Sequence, residues 1–60
     1  MSRKHYREVA DILHRELDGA DPDGLHIITE MALDLAAFFK RDNPRFDHAK
    51  FMSAVLGEIA

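Results

Sequence analysis

The chain has 60 residues, 47% hydrophobic and 32% charged, with a formal net charge of −3 and no cysteine. This balance is too apolar for disorder, and the missing cysteines exclude a disulfide-stapled secreted mini-protein and any thiolate metal site. The acidic balance excludes attraction of the whole chain to phosphate backbones or anionic membranes, and the length allows one domain with a thin core, for which self-association is the ordinary remaining source of stability.

The first helix is expected from about Arg3 to Asp18, with Ser2 as its N-cap. Tyr6, Val9, Ala10, Leu13 and Leu17 recur at helical spacing and form one apolar face, while Ile12 sits off that stripe. Gly19 follows the last periodic residue, where a left-handed C-cap is expected.

The link is Ala20-Asp21-Pro22-Asp23-Gly24. Either Asp21 caps a helix with Pro22 at its first position or Asp23 caps one beginning at Gly24, and the first is the better physical fit because proline lacks only an N–H that would be unsatisfied there. The second helix then runs from residue 22 to residue 42 and ends ahead of Asn43-Pro44, since the residue before a proline is pushed out of the helical region. Leu25, Ile27, Ile28, Met31, Ala32, Leu35, Ala36, Phe38 and Phe39 fall on one side and cover nearly half the cylinder, with Leu33 a stray. That breadth predicts a central helix packed by both of its neighbours.

Pro44-Arg45-Phe46-Asp47 turns the chain, and Asp47 caps a last helix expected over residues 48–58, with Phe46 stapling onto Phe51. On this helix Phe51, Met52, Val55, Leu56 and Ile59 form an apolar arc of about 160°. The reading is an all-α, compact three-helix bundle in a single domain, residues 1–60. The apolar surplus on the last helix predicts a homodimer that shares this face and part of the central helix.

No pattern points to catalysis. His5, His14, His26 and His48 form no metal-ligand motif, and they read as solvated residues on the polar shoulders of their helices. Glu30 and Asp34 are a like-charge pair on an outer face, and Ser2 and Ser53 lack a histidine and acid in any local signature. A non-enzyme without cofactor or metal is expected. No apolar run approaches the ~18–20 residues of a membrane span, so no membrane partner is expected either.

Two surfaces remain. Phe51, Met52, Val55, Leu56 and Ile59 are the expected contact with a partner protein or a second copy. Lys40, Arg41, Arg45, His48 and Lys50 make a local basic turn, and a dimer presenting two such turns is the outline of a small DNA-binding regulator. Against that alternative, the helix after the turn offers few reaching polar side chains beyond His48 and Lys50.

The opening Arg3-Lys4-His5-Tyr6-Arg7-Glu8-Val9-Ala10 and the closing Asp42-Asn43-Pro44-Arg45-Phe46-Asp47, followed by Lys50-Phe51, resemble a group of short uncharacterised proteins of actinobacterial phages and prophages. The group's pattern is an opening like KKHYEAIA and a closing DNPRFDRxRF. The likeness covers both ends and extends to the middle only as hydrophobic pattern. It implies a phage-encoded accessory protein in the host cytoplasm, and it carries no catalytic residues with it. Together these expectations describe a non-catalytic module that binds a host or phage protein.

Overall fold

Three helices, α1 (Arg3–Asp18), α2 (Pro22–Asp42) and α3 (His48–Leu56), make up the computed structural model, which describes residues 2–57. Ser2 is extended at the N-cap of α1. His5 takes the place that Glu or Gln holds in a capping box: its Nδ1 accepts from the Ser2 backbone N–H at 3.3 Å and lies 3.2 Å from Ser2 Oγ. Tyr6, Ala10, Leu13 and Leu17 are buried, the one-face spacing of an amphipathic helix.

The link departs from expectation at Gly19. Its φ of −100° is not left-handed; instead the Ala20 N–H donates to the Leu17 carbonyl at 3.2 Å, and a tight right-handed turn leads directly into the next cap. There Asp21 Oδ1 accepts from the Gly24 N–H at 2.8 Å, with Pro22 opening α2 as expected.

At the other end of α2, Asn43 leaves the helical region ahead of Pro44. The turn that follows is tied from three sides. Phe46 N–H donates to the Asn43 carbonyl at 2.9 Å, Arg45 N–H to Asn43 Oδ1 at 3.1 Å, and Lys40 Nζ to the carbonyls of Pro44 and Phe46 at 2.7 and 3.2 Å. Asp47 then accepts from the Lys50 N–H at 3.0 Å to start α3, and the Phe46 and Phe51 rings meet at 5.4 Å as a hydrophobic staple.

Helix α3 stops at Leu56, short of the expected residue 58, because Gly57 turns left-handed at φ 77°. Glu58 and Ile59 lie outside the described residues. A side chain at Gly57 would stand 2.7 Å from His14 Cε1, so only glycine fits there without displacing the histidine.

The three helices pack mutually, but the α1–α3 interface is the most extensive, and α2 touches each of the others about equally. Helix α2 is thus packed by both of its neighbours, as its broad apolar face predicts, although the largest interface lies between the other two helices. Two of its three fully core-facing residues are alanines, Ala32 and Ala36, which bring the helices close yet bury little apolar area. Bulk comes from an aromatic cluster at one end. Tyr6 lies 4.8 Å from both Phe39 and Phe46, and Phe39 lies 5.6 Å from Phe51. The opening and closing motifs of the sequence thus meet in one part of the core.

Candidate functional site

The lengths of the helices decide what is left uncovered. At 1.5 Å per residue, the 21 residues of α2 span about 31 Å, whereas the nine of α3 span about 14 Å. Helix α3 returns from the aromatic end and covers only part of its neighbours. It lies on the His14 side of α1 and the Leu25–Thr29 side of α2, where His14, Leu17, Asp18, Leu25, Thr29 and Leu56 line an open shallow groove.

Among the described residues no third helix covers the opposite side of the α1–α2 layer. Along it α2 presents Ile27, Met31 and Phe38, exposed at 57%, 51% and 51%. Their spacing places them on one line of the helix, with half-buried Leu35 at its inner edge. Ile12 of α1, 49% exposed, falls by helical spacing on the side of α1 away from His14, among Glu8, Asp11 and Arg15. In the antiparallel register set by Leu17 beside Leu25 and by Tyr6 against Phe39, it stands level with Met31. Four large apolar side chains are thus exposed on the side of the two helices that α3 does not cover.

This relocates the expected surplus. Phe51 and Val55 were expected at a partner contact, but both are buried in this chain's own core and are corrected to core residues. Met52 is half-buried and packs against that core. Leu56 is 46% exposed at the groove beside Leu25, and Ile59 is outside the described residues.

The basic residues are not assembled into one face. Lys40 spends its ammonium on the two turn carbonyls. Arg41 lies on the outward face of α2, beside the apolar stripe and turned away from the core. Arg45, His48 and Lys50 are exposed around the turn, with His48 and Lys50 on nearly opposite sides of α3.

His14 is not the solvated bystander that its sequence position suggested. Its Nδ1 lies 3.0 Å from the Val55 carbonyl oxygen, one of the last carbonyls of α3. Among the described residues no group of three histidines or carboxylates is placed to hold a metal ion, and no helix is long and apolar enough to cross a membrane.

Comparison with protein-family models, with curated proteins and with solved structures found no match. The residues that sequence periodicity missed as surface are Ile27, Met31 and Phe38. The breadth of the α2 arc, nearly half the cylinder, predicts packing against two neighbours, and the nine-residue α3 is too short to cover all of it.

Proposed function

We propose that this chain is a non-catalytic protein-binding module whose working surface is the Ile27–Met31–Phe38 stripe of α2, extended by Ile12 of α1. The observation that carries the reading is the half-exposure of four large apolar side chains on the side of the α1–α2 layer that α3 leaves bare. Contiguous apolar surface on a small domain marks protein contact more often than any other role. The resemblance of the two end motifs adds the setting, an accessory protein encoded by a phage and acting on a host or phage protein in the host cytoplasm. The homodimer expected through the last helix and part of the central helix moves, on this reading, to the stripe of α2.

The DNA-binding alternative has less support, because Lys40 is engaged within the turn and the remaining cations face different directions.

A differential capture tests the reading. Tagged wild type, Met31→Glu and Leu33→Glu are compared for the proteins each retains. Leu33 is as apolar as Met31 and is 40% exposed, yet it lies on the other side of α2. Partners held by wild type and Leu33→Glu and lost from Met31→Glu support the stripe. Equal retention by all three overturns it.

A further inference from the structure

We infer that the occupant of the stripe is a second copy of this chain, docked so that the two α2 helices run antiparallel across a twofold axis level with Ala32 and Leu33. The inference rests on reading the stripe as a protein-binding surface, and it names the partner.

Area is the first argument. Ile12, Ile27, Met31 and Phe38, with the half-buried Val9 and Leu35 between them, offer roughly 500 Å² of apolar surface, near the ~65% apolar share of a ~800 Å² homodimer face. The surface is therefore large enough for a stable pair.

Self-complementarity is the second. In an isologous antiparallel pair, a residue on α2 meets the residue an equal distance on the other side of the axis. An axis level with Ala32 and Leu33 sets Ile27 of one copy against Phe38 of the second, twice. The same operation brings Arg41 of one copy to Asp23 of the other, again twice, because both lie on the same rim of the stripe. Ile12 falls near the axis and meets its own equivalent. The result is a four-helix layer pair, α1 and α2 from each copy, with both α3 helices on the outside. It would cover the four apolar side chains that the single chain leaves bare.

The same geometry has one unfavourable feature, which makes it specific. Asp34 lies on the Arg41 rim close to the axis, so the two copies bring like charges towards each other. Neutralising Asp34 should therefore tighten the pair, whereas a heterologous partner gives no reason for that effect.

Sedimentation equilibrium on the purified chain is the test, with circular dichroism on each variant to verify the helices. Wild type is expected to approach twice the 6.9 kDa chain mass as concentration rises. Met31→Glu should weaken the pair more than a hundredfold, and Arg41→Asp about tenfold, with Asp23→Lys added to Arg41→Asp restoring most of that loss. Asp34→Asn should tighten it severalfold. A wild type that stays at 6.9 kDa at every concentration overturns the inference. So does a dimer indifferent to Met31→Glu, or a charge reversal that Asp23→Lys does not rescue. The monomer result would leave the differential capture to decide the protein-binding reading on its own terms.

Discussion

His14 Nδ1 stands 3.0 Å from the carbonyl oxygen of Val55, joining α1 to the end of α3 across 41 residues of sequence. The Val55 carbonyl belongs to the last turn of α3, where no helical N–H is available to it. The same imidazole leaves no room for a side chain at Gly57. One histidine therefore meets both a last-turn carbonyl of α3 and the glycine that ends the helix.

Glycine-to-alanine substitutions separate the two helix ends. Gly57→Ala is expected to lower stability by about 1–3 kcal/mol, since a left-handed φ and the 2.7 Å approach to His14 Cε1 both oppose a side chain. Gly19→Ala is expected to be neutral or to stabilise by about 0.4–1 kcal/mol, because its φ is negative and nothing lies within 4 Å of the added carbon. Urea denaturation of the two variants checks both signs.

A double-mutant cycle isolates the histidine. His14→Ala should cost about 1 kcal/mol for the lost bond to Val55. Combined with Gly57→Ala, the total should fall short of the sum, because removing the imidazole also removes the clash. Strict additivity would show that the two residues do not meet as described.

Among the described residues the buried Tyr6 hydroxyl has no hydrogen-bond partner, and its ring lies in the aromatic cluster of Phe39, Phe46 and Phe51. An unsatisfied buried hydroxyl costs about 1–3 kcal/mol, so Tyr6→Phe should raise the midpoint of thermal unfolding. Phe39→Ala is the opposite case. It removes a ring that touches Tyr6, Phe46 and Phe51 at 4.8–5.6 Å. The loss of about 3–5 kcal/mol matches everything a core of this size supplies, and the variant should be unfolded by circular dichroism.

Lys40 holds the turn through two carbonyls. Lys40→Ala should lower stability by about 1 kcal/mol. If the basic turn bound nucleic acid instead, an electrophoretic shift would appear at low salt and weaken steeply as salt rises. No shift is expected from the structure.

Much of the fold was legible in the sequence. The caps Asp21 and Asp47, Pro22 at the first position, the stop ahead of Pro44 and the Phe46–Phe51 staple depend on neighbours within a few residues, and all stand where local chemistry puts them. Two helix ends depart from expectation. Gly57 ends α3 at Leu56 with a left-handed φ, and Gly19 keeps a negative φ because the turn into the Asp21 cap follows so closely. The surface was half legible for a different reason. Periodicity placed the apolar surplus on α3, with part of α2 sharing its contact, and did not show that α2 would be the helix left uncovered. That depended on relative length. Short α3 sinks Phe51 and Val55 into the core, and long α2, with Ala32 and Ala36 facing inward, keeps Ile27, Met31 and Phe38 outside.

A photo-crosslinking scan along α2 in cells expressing the chain, with the reactive residue placed in turn at 26, 27, 31, 33, 37 and 38, shows directly which side of the helix meets another protein. Adducts to a second copy or another protein are expected from Ile27, Met31 and Phe38, and none from His26, Leu33 and Ala37 on the other side of the helix. Adducts of equal yield from both sets would contradict the protein-binding reading, because the stripe would then be no more a binding surface than the rest of α2.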